Sequence, residues 1–182
     1  MNIFIPLAEG FEEIEAVSII DVLRRANLKV TTVHLGKNPV KGSHDIEVKA
    51  DKYIDEIIPS DFGFVVLPGG MPGSKNLMED KRILDIVQAI YLSGGYATAI
   101  CAAPIVFGRA GLLKGKKATC FPGYEEQLGG AIHSPEPVVS DGRIITGKGA
   151  GCAIPFALKL VEVICGKEVS DDLKNRLQVY WM

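Results

Sequence analysis

The chain has 182 residues, of which 47% are hydrophobic and 23% are charged, as in an ordinary globular domain. Its 20 basic and 22 acidic side chains leave a formal net charge of −2, which argues against nucleic-acid binding driven by excess Lys and Arg. No apolar run approaches the ~20 residues that span a bilayer, and the N-terminal segment lacks the basic region of a signal peptide. We therefore expect one domain over residues 1–182, cytoplasmic, with no membrane partner and no dedicated nucleic-acid binding.

Strand-like and helix-like segments alternate along the chain. We predict strands over residues 2–8, 29–35, 62–68, 96–101, 116–121 and 137–147, the last a hairpin about Asp141-Gly142, and helices over 13–26, 80–93, from Ala102, 152–165 and 167–182. Residues 36–58 indicate a hairpin or small excursion. This alternation predicts an α/β fold: a doubly wound, mainly parallel sheet with helices on both faces. Ligands of such sheets bind at the carboxyl ends of the strands, which here selects the loops after Ala8, Leu67, Ile100 and Phe121.

The loop after Ile100 carries a cysteine, Cys101, between small residues at a strand-to-helix junction. This position resembles a nucleophile elbow, in which a tight turn lifts the side chain above the sheet. A thiol at a helix N-terminus is expected to have a lowered pKa, and the Ala102 amide would face an oxyanion formed on its target. The alternative interpretation is a buried structural thiol.

The loop after Leu67 contains adjacent glycines, Gly69 and Gly70. Without side chains, their backbone amides can approach a ligand closely, as an oxyanion hole requires. A plain tight turn would use the same residues. The topology nevertheless directs this loop to the cleft that holds Cys101.

The first loop carries four acids at the start of a predicted helix: Glu9, Glu12, Glu13 and Glu15. Acids there usually complement the helix dipole on a solvated surface. Glu15 differs because it lies between apolar residues, where the helix turns into the core. A carboxyl buried there would have a raised pKa, could donate a hydrogen bond to a thiolate, and could act as acid and base.

The cysteines other than Cys101 have simpler explanations. Cys120, Cys152 and Cys165 are too widely spaced for a zinc knuckle or a CxxC pair, and no histidine cluster accompanies them. We therefore predict free thiols, no metal and no cofactor. Cys120 leaves one alternative open, a disulfide with an oxidised Cys101.

Together, E-G-x-E-E-x-E after the first strand, L-P-G-G after a later one, and A-x-C-A-[GA]-P resemble the ThiJ/PfpI superfamily. Within it the chain is similar to the branch of the parkinsonism-associated deglycase and its bacterial relatives. The resemblance implies a flavodoxin-like sheet related to class I glutamine amidotransferases, a homodimer, and a cofactor-free cysteine enzyme. It gives Cys101 the nucleophile position, Glu15 that of the partner acid, and Gly69, Gly70 and Ala102 the oxyanion side.

The chain departs from parts of the superfamily at two positions. Protease-like members have a histidine directly after the cysteine, where this chain has Ala102, so we expect no peptidase activity. Some close relatives have a histidine where this chain has Phe121, which leaves a third catalytic residue without a candidate. The amidotransferase alternative is disfavoured because Ala99 and Ala103 replace its motif glycines. The histidines match no motif position: His34, His44 and His133.

The resemblance and the residues favour an enzyme of the glyoxalase or deglycase type. Its partner would be a small aldehyde, such as methylglyoxal, or an early glycation adduct. The alternative is a redox-sensing stress protein or holdase that works through oxidation of Cys101. The apolar residues Ile14, Val17 and Ile20 of the first helix predict either a core face or a homodimer face.

Overall fold

The computed structural model describes residues 2–180, which contain eleven β-strands and six α-helices. The strands are β1 (Asn2–Leu7), β2 (Lys29–His34), β3 (Val40–Lys41), β4 (Glu47–Val48), β5 (Lys52–Tyr53), β6 (Phe64–Leu67), β7 (Tyr96–Ile100), β8 (Lys117–Ala118), β9 (Ile132–His133), β10 (Val138–Asp141) and β11 (Ile144–Gly147). The helices are α1 (Glu13–Arg25), α2 (Gly73–Glu79), α3 (Lys81–Leu92), α4 (Pro104–Arg109), α5 (Ala153–Cys165) and α6 (Lys167–Arg176). Within residues 2–180, no helix has the length and apolar character needed to cross a membrane.

The main sheet has seven strands in the order β10-β11-β7-β6-β1-β2-β5. All neighbouring pairs are parallel except β10 and β11, which form the predicted hairpin with Asp141 opposite Ile144. The excursion between β2 and β6 contains the antiparallel pair β3 and β4. The predicted doubly wound, flavodoxin-like fold is thus confirmed.

Two apolar layers cover the faces of the sheet. Because side chains alternate along a strand, Ile3 and Ile5 of β1 pack on one face, whereas Phe4 between them packs on the other. The first layer is completed by α1, α5 and α6, for example through Ile19 and Phe156, and the second by α3 and α4. These layers fix the carboxyl edge of the sheet, where the loops selected from the sequence meet.

Three predicted elements differ from the structure. The strand predicted over 116–121 shortens to β8, which pairs with β9 outside the main sheet, because the Thr119 amide donates to Thr146 Oγ1 instead of a strand carbonyl. The helix predicted from Ala102 begins at Pro104, which occupies its first turn. The C-terminal helix ends at Arg176, and its predicted continuation through Trp181 and Met182 lies outside the described residues.

Candidate active site

Three adjacent strands, β7, β6 and β1, bring the loops with chemically reactive side chains to one edge of the sheet. Cys101 follows β7, Gly69 and Gly70 follow β6, and Glu15 lies in the first turn of α1, which follows β1. The connections run outward in opposite directions from β1 and β6, so this is the topological switch point at which open α/β sheets bind ligands. The structure therefore brings the residues selected from the sequence together.

The backbone of Cys101 adopts a left-handed conformation with φ of 62°, which is uncommon for a residue with a side chain. Two hydrogen bonds hold it there: its amide donates to the Gly147 carbonyl at 2.9 Å, and its carbonyl accepts from the Phe121 amide at 2.8 Å. The sharp turn predicted at this junction is confirmed. Cys101 is partly exposed, so the interpretation as a fully buried structural thiol does not hold.

Gly69 lies between Cys101 and Glu15 and is close to both side chains. A Cβ on Gly69 would lie 2.6 Å from Cys101 Cβ and 2.6 Å from Glu15 Oε2, distances that no side chain tolerates. The Gly69 amide donates to Glu15 Oε2 at 2.8 Å. Gly70 has φ of 90°, and its amide favours the ionised form of the Cys101 sulfur. Gly69 therefore permits the close approach of Cys101 and Glu15, and Gly70 permits the turn with a positive φ.

The Glu15 side chain is 0% exposed, as the apolar flanks of this residue predicted. Its Oε1 atom has no hydrogen-bond partner among residues 2–180. Burial raises the pKa of Glu15 to about 7, although hydrogen bonds with Cys101 and the Gly69 amide lower it, and the Glu12 charge raises it further. The predicted increase in pKa is thus confirmed, and a protonated carboxyl is populated near neutral pH.

The prediction of a lowered thiol pKa is wrong. Burial, then the charge of Glu15 and the hydrogen bond to it, raise the pKa of Cys101 to about 12, while the amides of Gly70 and Ala102 lower it. One reason is that α4 begins three residues after Cys101 and is short, so its dipole contributes little. Protonation of Glu15 removes the repulsion but not the effect of burial, so the pair favours a single negative charge, which lies on Glu15 above a pH of about 7.

The other acids of the first loop divide into two kinds. Glu12 caps α1, because its Oε2 accepts from the Glu15 amide at 2.7 Å, as expected of an acid at a helix start. Glu13 was predicted to be solvated but is 5% exposed and contacts the segment 42–46. Its importance was missed because the partner segment lies about 30 positions away and carries no motif.

The three histidines make their contacts with residues other than Cys101. His34 contacts Tyr53, His44 pairs with Glu13 Oε2 at 2.9 Å, and His133 belongs to β9. Phe121 is 47% exposed, and its backbone amide donates to the Cys101 carbonyl. The residue after the cysteine, Ala102, is buried and offers no base. The ionisable partner of Cys101 is thus a carboxyl, without the adjacent histidine of a Cys–His peptidase.

The remaining thiols are free, as predicted. Cys120 is 1% exposed, and burial followed by the charge of Glu125 raises its pKa to about 11. A protonated thiol is a poor nucleophile toward oxidised sulfur, which disfavours rapid disulfide formation with Cys101. That disulfide stays a prediction.

A cavity of about 560 Å³ lies beside the site, at the carboxyl ends of β1 and β2. Its rim is charged, with Lys37 and Arg82 among its basic groups and Glu9 among its acids. Cys101 does not line it. The cavity is therefore separate from the Cys101–Glu15 pair.

Comparisons with known proteins identify the family of the chain. The family model described as DJ-1/PfpI family matches residues 1–163. Protein dj-1beta of Drosophila melanogaster is 39% identical over 176 residues, covering 95% of this chain and 94% of that protein. The Parkinson disease protein 7 homolog of Danio rerio is 34% identical over 94% of this chain and 93% of its own length. The solved structure of oxidized Toxoplasma gondii DJ-1 superposes with a TM-score of 0.92 at 34% identity, covering 98% of this chain and 99% of that one. The chain therefore belongs to the DJ-1/PfpI family.

Proposed function

We propose that this protein is a cofactor-independent cysteine enzyme of the glyoxalase or deglycase type, which converts reactive dicarbonyls such as methylglyoxal to hydroxy acids. Early adducts of these dicarbonyls with amines and thiols are the related substrates. We expect it to act in the reducing environment of the cytoplasm, in keeping with four free cysteines. Family membership supports the proposal, but the residues of the site carry it.

The observation that carries the proposal is the pairing of a partly exposed cysteine in a left-handed turn with a buried carboxyl whose pKa is about 7. A general acid and base works best when its pKa lies near the working pH. Glu15 meets this condition, and hydrogen bonding couples it to Cys101.

In the first step the Glu15 carboxylate takes the proton of the Cys101 thiol while the sulfur adds to the aldehyde carbon. The new carbon–sulfur bond places a negative charge on the aldehyde oxygen, where the amides of Gly70 and Ala102 would stabilise it, since both favour negative charge at the sulfur. Protonated Glu15 then gives its proton to that oxygen. The product is a neutral hemithioacetal and a Glu15 carboxylate.

The second step is an internal proton transfer. The Glu15 carboxylate removes the proton from the former aldehyde carbon, the electron pair moves toward the ketone oxygen, and an enediolate forms. Glu15 returns a proton to the neighbouring carbon while the hydroxyl proton passes from the former aldehyde oxygen to the former ketone oxygen, which leaves a thioester of the hydroxy acid on Cys101. Water then attacks the thioester and releases lactate, the Cys101 thiol and one proton to solvent, so no external oxidant or reductant is consumed.

The test is lactate production from methylglyoxal by purified, chelator-treated protein. We expect turnover by the wild-type protein and none by Cys101→Ala. Cys165→Ala is the matched control, because this cysteine ends α5, well removed in the chain from the site, and should retain activity. Equal turnover by Cys101→Ala and the wild-type protein would contradict the mechanism.

A second candidate function is redox sensing through Cys101, because this residue is partly exposed and the amides of Gly70 and Ala102 lower its pKa against the burial and the Glu15 charge that raise it. The Toxoplasma gondii relative is described as oxidized. Mild peroxide should then convert Cys101 to a sulfinic acid, which mass spectrometry detects as a gain of about 32 Da. This product with negligible dicarbonyl turnover would favour the sensor or holdase role over the enzyme.

We also propose that the protein forms a homodimer through α1. Ile14 and Val17 are 59% and 48% exposed on this helix, whereas Ile20 is buried in the core. Burying two such side chains on each protomer would contribute several kcal/mol, at about 25 cal/mol per Å². Sedimentation should give the mass of a dimer for the wild-type protein and a lower mass for Val17→Asp. A wild-type monomer would contradict the proposal.

A further inference from the structure

Three side chains with metal-binding atoms converge in the segment between β8 and β10. Cys120 Sγ, a carboxylate oxygen of Glu125 and a ring nitrogen of His133 all lie within 4.8 Å of one another. The cluster is distinct from the pair formed by Cys101 and Glu15, and none of its members has a role in the mechanism above. Its spacing, four residues between the first two ligands and seven between the next two, fits no zinc motif that sequence inspection would detect.

Each ligand is carried by a separately anchored piece of chain. His133 lies in β9, where it is paired with Ala118 of β8, and the following amide, Ser134, donates to the Ala118 carbonyl at 2.9 Å. Cys120 follows β8 by two residues and is buried. The three groups are therefore held near one another by backbone pairing and packing before any ligand arrives.

Glu125 opens a 3-10 turn that packs closely against α4. A Cβ on Gly108 of α4 would lie 2.2 Å from the Gln127 carbonyl, so only glycine permits this contact. The Gly123 amide donates to Glu125 Oε2 at 2.9 Å, which fixes the orientation of the carboxylate. An ionised carboxylate offers about four lone-pair sites, so Glu125 can accept from this amide and still bind a cation.

We propose that Cys120, Glu125 and His133 form a binding site for a divalent cation of the zinc class. Sulfur, imidazole nitrogen and carboxylate oxygen are the ligand types that Zn²⁺ takes at about 2.0–2.3 Å, and in a tetrahedral site such ligands lie about 3.3–3.8 Å apart. Separations of up to 4.8 Å need only a small inward movement. His133 is exposed, which gives the cation a path from solvent and leaves the fourth position to water. Binding replaces the thiol proton, which leaves to solvent.

A second group of potential ligands is less suitable. Glu12, Glu13 and His44 also approach one another, but their acceptor atoms are already used. Glu12 Oε2 caps α1, and Glu13 accepts from the His44 amide and from Ser43 Oγ. This group contains no sulfur, so a zinc-class cation would gain little by displacing those donors.

One proposed ligand, Cys120, directly precedes Phe121, whose amide donates to the Cys101 carbonyl. A bound cation would therefore restrain the segment whose backbone hydrogen bond supports the left-handed turn at Cys101. The proposal does not depend on the proposed function, because binding is measured without turnover.

The experiment is a titration of chelator-treated protein with Co²⁺, whose thiolate complexes absorb in the near ultraviolet by charge transfer. We expect the band to saturate at one Co²⁺ per chain, and Zn²⁺ to displace it. Cys120→Ser should abolish the band, and Glu125→Gln and His133→Asn should each weaken binding at least about 100-fold, more than the loss of an outer-shell partner costs. Cys152→Ser and Cys101→Ser are matched controls that should keep the band.

The controls decide between the sites. Loss of the band in Cys101→Ser would place the cation on the candidate nucleophile and overturn the proposal, as would a band that persists in Cys120→Ser or is absent from the wild-type protein. Because Cys120 is buried, its variant also needs a circular dichroism spectrum and an unfolding midpoint. Glu125 and His133 are not buried, so their variants test the site without disturbing the core, and unchanged affinity in both would equally overturn it.

Discussion

Glu13 and Glu15 lie two positions apart in the first turn of α1, and both side chains are almost fully buried, yet they have opposite acid–base properties. The pKa of Glu13 falls to about 2, whereas that of Glu15 rises to about 7. Burial raises the pKa of both carboxyls. The difference must therefore come from the groups that each carboxyl faces.

Glu13 faces a set of hydrogen-bond donors. The amide of His44 donates to its Oε1 at 2.6 Å, the His44 ring lies 2.9 Å from Oε2, and the Ile46 amide adds a longer contact of 3.4 Å. Gly42 permits this approach, since a Cβ there would lie 2.3 Å from Glu13 Oε1. These donors outweigh burial, so Glu13 remains ionised and anchors the segment 42–46.

Glu15 faces one backbone donor and one thiol. The Gly69 amide serves Oε2, Oε1 has no partner among the described residues, and Cys101 supplies a weak donor. Burial therefore dominates, and the carboxyl keeps its proton near neutral pH. The comparison shows that the number of N–H groups aimed at a carboxyl decides whether it becomes a structural anion or a proton carrier.

The largest expected effect is a difference in methylglyoxal turnover between variants of the two carboxyls. Glu15→Gln should lower methylglyoxal turnover by about 10²–10⁴-fold, because an amide cannot carry the proton between the two carbons. Glu13→Gln should retain most of the turnover, because its contacts hold the segment 42–46 rather than the sulfur. The measurement is lactate formation at saturating methylglyoxal.

Thiol ionisation provides an independent check on Glu15→Gln. Because the charge of Glu15 raises the pKa of Cys101, the variant should have a lower thiol pKa than the wild-type protein. Alkylation rates against pH would report it, and the variant should combine faster alkylation with lost turnover. A variant that merely misfolds would lose both, and one with normal turnover would remove Glu15 from the mechanism.

The sequence was sufficient to predict the fold and the position of the cysteine turn. Strand–helix alternation is a local signal for a mainly parallel sheet with helices on both faces, and the small residues around Cys101 are a local signal for the turn. The flavodoxin-like arrangement was implied by the family resemblance. The strand predicted over 116–121 was wrong because its pattern does not reveal that Thr119 donates to the side chain of Thr146. The pairing of β8 with β9 outside the main sheet depends on tertiary contacts that the local sequence does not show.

The electrostatics of the site could be predicted only where flanking residues determine burial. The apolar neighbours of Glu15 indicated its raised pKa, but the solvated surface predicted for Glu13 was wrong, because its donors come from a segment distant in sequence. The lowered pKa predicted for Cys101 assumed a helix starting at Ala102 and an uncharged neighbour. The cluster of Cys120, Glu125 and His133 likewise depends on the pairing of β8 with β9.

A smaller effect concerns stability against pH. The pKa of Glu15 rises from 4.5 to about 7 on folding, so the native state binds this proton more tightly than the unfolded state. Between those values the free energy of unfolding should fall as pH rises, at up to about 1.4 kcal/mol per unit and about 3 kcal/mol in all. Urea unfolding of Glu15→Gln should lack this decrease, which makes the variant more stable than the wild-type protein at pH 8.

Glu13→Gln is the matched control, because its linkage has the opposite sign. The pKa of Glu13 is lowered on folding from 4.5 to about 2, so the stability it contributes is present above pH 4.5 and is lost as the pH falls toward 2. The Gln variant should therefore lose stability at neutral pH while keeping the wild-type decrease between pH 4.5 and 7. If Glu15→Gln instead kept that decrease, another group would be releasing the proton, and the assignment of Glu15 as the protonated carboxyl would be wrong.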